Sequence, residues 1–401
     1  MTPAPPEFRW LTQPADLSAL RPDWERLATQ TGADPYLWPL WQEVWWAHFG
    51  PGRRLACLTG WRDGRLVALL PFAVETIWVG PLPLRIARLA GTDPHCLVFR
   101  LPVTEEDLSA VLAAALRHLL GPMGCAAVSL TPASERAAWL VPLRALTAAE
   151  QGWVCTMADA GSHIVFDLPP TFDLLLQRLS KKRRAQIRRD LATLRAEFGL
   201  TETCGPPDRA AFAAFAEFHN RQWQAIDRAG HFGEWPGSAD FYEDLADRGQ
   251  REDRSLMQVH KLQGRAGPLA SQFTLCAGDI AHWRLPARTL DPEAERLGIG
   301  KLGLLLMLRD LIDQGCILVE AGRGDYDYKL AYGGTDVPVW QVLLAPATPA
   351  GRVRLHLLTG WAALVNLLYY RIWFWKVAPR LRRWSGRKPG PLWRGWIRTR
   401  L

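Results

Sequence analysis

What this chain lacks narrows its possibilities first. Its 401 residues include only seven cysteines, at Cys57, Cys96, Cys125, Cys155, Cys204, Cys276 and Cys316, and none form a CxxC pair. No His/Cys group has metal-ligand spacing either. This excludes zinc-finger classes and disulfide-stapled secreted scaffolds; no metal is expected, and the thiols read as reduced and mostly buried. Residues 1–9 hold no basic start followed by an apolar run, so the expected location is cytoplasmic.

The most local absence is of acid. From 345 to 401 there are twelve Lys or Arg and no Asp or Glu. The formal net charge of +8 therefore sits in this tail, and the preceding chain carries 36 basic against 40 acidic residues. A long uninterrupted apolar run is missing too. Residues 357–375 approach spanning length, but Asn366 and Arg371 interrupt them, and a central charge is costly in hydrocarbon. Trp361, Trp373, Trp375, Trp384, Trp393 and Trp396 are interleaved with the cations. Amphipathic rings beside positive charge suit an anionic membrane interface, which is the expected partner. The alternatives are a helix docked on the protein with a disordered basic end at 385–390, or contact with nucleic acid.

About half of the chain is apolar, enough for two domains with cores of their own. The expected division is 1–160, 161–345 and the basic tail 346–401.

The richest stretch is 269–334. Residues 271–277 and 281–287 read as strands joined at Gly278-Asp279, followed by a break at Asp291-Pro292. A helix begins at Gly298-Ile299-Gly300-Lys301, with Leu304, Leu305, Leu308, Leu311 and Ile312 on a buried face. Gly315 stops it, and Ile317-Leu318-Val319 returns as a strand. Glycines entering a helix let a ligand approach the unpaired N–H groups of its first turn, where the dipole favours phosphate. Lys301 adds a full positive charge.

The first half shows the same alternation. Residues 38–49 read as a buried helix, and 55–60 with 66–74 as a hairpin about Asp63-Gly64. A further helix is predicted over 103–120, with Thr104 as N-cap and Glu105 and Glu106 in its first turn. The recurrence of hairpin, helix and strand after 160 points to an internal duplication. The first copy has no counterpart of Gly298, Gly300 and Lys301, so it reads as the structural half.

Between the copies, 163–168 is a predicted strand, and Thr171 opens a helical stretch interrupted near Ser180. Ile187, Leu191, Leu194 and Phe198 form an apolar stripe at spacings of four, three and four. Lys181, Lys182, Arg183, Arg184, Arg188 and Arg189 occupy the other faces, as a phosphate or RNA site or as a solvated surface. Phe212, Phe215, Phe218 and Trp223 mark another helix side, within which His219 and Arg221 lie. His219 is either a hydrogen-bonded core residue or a proton-transfer group.

In their order along the chain these segments resemble a known family. The markers are PYLWPLWQEVWWAHFG at 35–50, LVALLPF at 66–72, LSKKRRAQIRRDLATLRAEFG at 179–199, FHNRQW at 218–223, GIGKL at 298–302 and GDYDYK at 324–329. They resemble the GNAT-fold proteins of the CelD/BcsL type, linked to cellulose and exopolysaccharide synthesis and related in architecture to the FemABX transferases. The resemblance covers most of 8–345. It implies an α/β (α+β) fold of tandem GNAT-like domains, each a mixed, mostly antiparallel sheet flanked by helices, followed here by the basic aromatic C-terminal helix.

The resemblance also implies acetyl-CoA or another acyl-CoA as co-substrate, bound in the second domain. Gly298, Gly300 and Lys301 match the pyrophosphate loop. The strand His282, Trp283, Arg284, Leu285 matches the one whose backbone flanks the pantetheine arm, and Tyr328 and Lys329 match the family's Tyr-Lys pair. Glu295 departs from the family pattern, standing where a basic or amide residue is usual.

Acyl transfer from a thioester to an amine needs a base, an acid and oxyanion donors. Glu320 is the candidate base and Tyr328 the candidate acid. Lys329 is placed to hold an anionic acceptor or the oxyanion. His219, Arg221 and Trp223 are candidates for proton transfer and acceptor binding.

The expected activity is acyl transfer to an amine or hydroxyl of a sugar nucleotide or lipid-linked glycan. Two alternatives stand beside it. One is a FemABX-like transferase using aminoacyl-tRNA, which the basic helix would serve. The other is a non-catalytic GNAT-like subunit of a polysaccharide synthesis complex.

Overall fold

Asp63-Gly64 has the backbone of a tight hairpin turn, with φ of 48° and 72°, and the strands it joins begin the larger of two units. The computed structural model describes residues 4–92, 96–149, 152–226, 230–323, 327–385, 392 and 394–401. By internal contacts the chain divides into unit one, Met1–Gly161 with Pro338–Leu401, and unit two, Ser162–Val337.

In unit one, β1 (Glu7–Leu11), β2 (Arg54–Arg62), β3 (Arg65–Val79) and β4 (Leu82–Leu89) form an antiparallel meander. The helix Leu108–Leu120 then crosses to β5 (Ala127–Ser129), which lies parallel to β4 over Ile86–Arg88. The strand Thr335–Pro346 closes the order antiparallel to β5, and it also pairs with the two-residue β6 (Ala133–Ser134). Indole rings fill much of this core, and several satisfy their N–H at a backbone carbonyl. Trp24 donates to Leu37 at 2.9 Å, Trp41 to Gly91 at 2.9 Å and Trp139 to Val98 at 2.9 Å.

Two expectations change here. The helix predicted from 103 begins only at Leu108, after a tight turn at Glu105–Asp107. Thr104 caps no backbone N–H; its hydroxyl donates instead to Asp107 Oδ2 at 2.7 Å. The tail set apart at 346–401 shares a core with unit one. Ile77, Leu84 and Ile86 pack with Leu355, Leu358 and Ala362 of the helix Pro349–Val365, and with Trp396 and Ile397 of Gly395–Thr399. Burial of this apolar surface outweighs the chain's charge as the reason for its position. The expected basic end at 386–390 lies outside the described residues.

Unit two repeats the plan. It contains the 162–167 portion of β7 (Trp153–Asp167), then β8 (Thr201–Gly205), β9 (Met257–Gly264), β10 (Gly267–Cys276), β11 (Ile280–Arg288) and β12 (Leu318–Arg323). β8 to β11 are antiparallel neighbours, β11 and β12 are parallel, and β12 runs antiparallel to β7. The helix Ile299–Asp313 links β11 to β12 and buries Leu304, Leu305, Leu308, Leu311 and Ile312, the face its spacing predicts. In each unit a meander leads through a helix to a strand parallel to the meander's last member. That is the duplication read from the sequence.

Candidate functional site

The ladder between β11 and β12 covers three residue pairs, Ile280 with Leu318, Ala281 with Val319 and His282 with Glu320. Beyond them β11 continues on β10 to Arg288, and β12 continues to Arg323 beside β7. Two parallel strands that part company leave backbone groups without ladder partners between them. The Lys329 side chain enters here: its ammonium donates to the Ala321 carbonyl and lies 5.1 Å from the Trp283 ring centroid. Trp283 is fixed in turn, its indole N–H donating to Gln272 Oε1 at 2.9 Å.

Burial lowers the Lys329 pKa to about 8, against a smaller opposing pull from Glu320. Glu320 is itself buried at the end of the three-pair ladder. Its Oε1 accepts from the Gly322 N–H at 2.7 Å and from His163 Nδ1 at 3.3 Å. Burial pushes this carboxyl up, but the His163 hydrogen bond and the charges of His163, His282 and Arg284 hold it below its ordinary value. Glu320 Oε2 accepts no hydrogen bond and lies 3.9 Å from His282 Nδ1.

A cleft of about 470 Å³ is lined by Tyr328, the residue preceding Lys329 in the chain. Two helices of good length begin at it. Lys181–Thr193 is capped by the Ser180 hydroxyl, which accepts from the Arg183 N–H at 3.3 Å, and Ile299–Asp313 starts at Gly298 in left-handed backbone at φ 70°. Lys182, Arg183, Arg296 and Lys301 bring positive charge to the lining, against the single carboxylate of Asp190. Tyr328 and Tyr332 complete it from the turn at Asp327–Ala331 and its end. Arg183 ties the walls together, donating to the Ala331 carbonyl with its guanidinium 5.4 Å from the Tyr332 ring.

Two glycines of the Ile299–Asp313 helix leave little room for a side chain. A Cβ on Gly300 would meet Arg288 Cδ at 3.0 Å, and one on Gly303 would meet Gln272 Nε2 at 2.7 Å. Arg288, seated over the helix start, pairs with Glu295. The carboxylate that departs from the family pattern is thus neutralised by a neighbour, and it does not line the cleft.

Residues 181–330 match the model of the acetyltransferase (GNAT) domain. Among solved structures, FemX is 11% identical with a TM-score of 0.56, over 84% of this chain and 96% of that one. The L-PGS of Bacillus licheniformis is 12% identical with a TM-score of 0.50, over 84% and 95%. At such identities the likeness is one of fold. No curated protein matches the sequence. The mixed, mostly antiparallel architecture with tandem GNAT-like order is the fold expected.

Within the matched segment, Gly298, Lys301 and Tyr328 meet at the cleft, with Gly300 in the same helix start. Lys329, Glu320 and Trp283 meet at the parting strands, where Arg284 and Leu285 continue β11. Gly324, Asp325 and Tyr326 of the GDYDYK motif lie outside the described residues.

The helix Arg209–Gln224 holds the remaining candidates apart from the cleft lining. His219 is buried, donating from Nδ1 to the Pro286 carbonyl of β11 at 2.7 Å, and burial lowers its pKa to about 4. It is a neutral core histidine at physiological pH. Trp223 lies beside it, with ring centroids 6.0 Å apart, and exposed Arg221 stacks its guanidinium 5.9 Å from the Phe218 ring.

Sequence reading missed Arg183, Arg296 and Tyr332 as parts of one lining. It also missed a group assembled by β8, β9, β10 and the Ile299 helix. Asp310 accepts from His260 Nδ1 at 3.0 Å, Thr274 donates to His260 Nε2 at 3.2 Å, and Cys204 Sγ lies 4.0 Å from the same nitrogen. Burial raises the Cys204 thiol to about 11, so it stays protonated. These residues are 56 and 50 positions apart along the chain, and no local spacing signals them.

Proposed function

We propose that unit two is an acyltransferase that takes its acyl group from a CoA thioester and passes it to an amine or hydroxyl. The observation that carries this reading is the cleft itself, with two helix N-termini and four cationic side chains around it. The lining fits a diphosphate, because unpaired helical N–H groups and the fixed charges of Arg183 and Lys301 complement phosphate oxygens. A CoA thioester supplies the activated carbonyl carbon.

The protein's own groups divide the remaining work. Tyr328 lines the cleft and serves as the acid that returns a proton to the leaving thiolate. Lys329, titrating near pH 8, neutralises the developing oxyanion, and Glu320 is the base that takes the proton given up by the acceptor, directly or through water. The motif order shared with the CelD/BcsL type supports an acceptor on a sugar nucleotide or lipid-linked glycan in envelope or exopolysaccharide synthesis. Unit one has Glu105, Glu106 and Asp107 at the corresponding helix start, which suits a structural role because acid there disfavours phosphate.

One observation favours a second reading, transfer from aminoacyl-tRNA. Lys181 and Lys182 are exposed at the helix end that borders the cleft, with Arg188 and Arg189 exposed further along, where an extended phosphate backbone would meet them.

Calorimetric titration of the full chain with acetyl-CoA, free CoA and bulk tRNA separates the two. CoA binding weakened at least about tenfold by Lys301→Glu is the result expected from losing one close charge and adding its opposite. No binding of either CoA species at millimolar concentration, with tight tRNA binding, would replace the first reading by the second.

A further inference from the structure

From 349 to 385 the chain is helical, as Pro349–Val365, the more widely wound Asn366–Val377 and Ala378–Ser385. Its inner side carries buried Leu355, Leu358, Ala362, Asn366, Phe374 and Ala378. Four residues overshoot a turn of the α-helix and fall short of one in the wider winding, so at this spacing the drifts oppose and the buried stripe continues past Val365. The same spacing holds outside. Val353, Leu357, Leu364, Leu368 and Ile372 recur at intervals of four, seven, four and four, opposite the buried stripe, and all are exposed, Leu364 by 44% and Leu368 by 53%. Trp373, Trp375 and Trp384 extend apolar surface towards the helix end, Trp384 being 87% exposed.

A contiguous apolar stripe of this length in water marks a docking surface. Its charge selects the partner. Arg352 and Arg354 flank Val353, and Arg371, Lys376 and Arg380 follow, all exposed. No Asp or Glu occurs after Asp336. A second copy of this helix would bring like charges together, and a nucleic acid would leave the aliphatic stripe in water. An anionic bilayer surface satisfies both, taking side chains such as Leu and Ile at the acyl boundary, indoles at headgroup depth and cations at the phosphates. No helix among the described residues is long and apolar enough to cross a membrane.

We propose that the 349–385 helix lies flat on an anionic lipid surface, with Val353, Leu364, Leu368 and Ile372 inserted and Arg352, Arg354 and Lys376 at the headgroups. This does not rest on the transfer reading. Removing the tail is no test, because Leu355, Leu358 and Ala362 belong to the core of unit one. The test is flotation of the full chain with phosphatidylcholine vesicles, with and without phosphatidylglycerol. The double variant Leu364→Glu/Leu368→Glu is compared, with its fold checked by circular dichroism and thermal unfolding.

The expected result is binding to the anionic vesicles only, weakened by added salt and reduced at least about tenfold in the double variant. Three outcomes overturn the proposal. They are wild-type protein left in solution with anionic vesicles, equal binding by a folded double variant, or salt-insensitive binding to both vesicle types. A dimer that the double variant dissolves, with no vesicle binding, would assign the stripe to a second copy instead.

Discussion

The Lys329 ammonium sits 5.1 Å from the Trp283 ring centroid, in a place between two parting strands where water does not solvate it. A cation there gains from the ring's negative face and from the Ala321 carbonyl, yet its pKa of about 8 shows that desolvation outweighs both. In the unfolded chain the same group titrates near 10.4. Below pH 8 the fold therefore holds a proton at a cost of about 3 kcal/mol, which is relieved as pH rises from 8 towards 10. Lys329→Met is expected to raise stability at pH 7 by about 1 to 3 kcal/mol while abolishing transfer, with the gain shrinking by pH 10. Urea unfolding at the two pH values measures it, and a variant less stable than its parent at pH 7 would refute the desolvated setting.

His219 gives the opposite end of the pH range. Its folded pKa of about 4 lies below the unfolded value, so the stability it lends is complete above about pH 6.5 and is lost as pH falls towards 4. The loss amounts to about 3 kcal/mol. His219→Gln, which keeps a donor for the Pro286 carbonyl, should flatten that part of the curve. An unchanged acid slope in thermal unfolding would show that His219 is not its source.

Gly303 packs against β10 where a methyl group has no room. Gly303→Ala places Cβ 2.7 Å from Gln272 Nε2 and 3.3 Å from the Ala270 methyl, so the helix must shift or Gln272 must release Trp283. The expected cost is about 1 to 3 kcal/mol, accompanied by a changed indole fluorescence spectrum. Destabilisation below about 0.5 kcal/mol would mean that the helix moves freely.

Asn366 is buried in the tail, and its amide donates to the Ile397 carbonyl at 2.6 Å. Asn366→Leu leaves that carbonyl unpaired and should destabilise unit one by about 1 to 3 kcal/mol. Faster exchange of the amides of Gly395–Thr399 is the direct readout. Unaltered exchange would show that the terminal helix is held without this bond.

How much of this was legible in the sequence depended on how local each signal was. Asp63-Gly64, Gly315, Ser180 and the Leu304 to Ile312 face are local, and the strands and helices they bound are where the residue pattern puts them. The glycine-led start at Gly298 is local as well. What escaped was anything assembled from distant segments. Arg183, Arg296 and Tyr332 line one cleft from three separate elements, and Lys329 becomes unusual only because β11 and β12 diverge beside it. Thr104 misled because a turn from Glu105 to Asp107 intervenes, and the hydroxyl found a carboxylate instead of a backbone N–H. The tail's charge was plain, but its amphipathic geometry required knowing that the winding widens after Val365.

The return of Pro338–Leu401 to unit one has a consequence for biosynthesis. The strand that places Leu343 against Ser129, and the helix that seals Ile77 and Ile86, are made after the body of unit two. Unit two, continuous from Ser162 to Val337, can complete its own core while still tethered to the ribosome. Unit one must wait with an unsealed apolar sheet until residues 338–401 have emerged. Its nascent form is therefore the stage of this protein's life most exposed to aggregation, and the stage at which a chaperone would have most to protect.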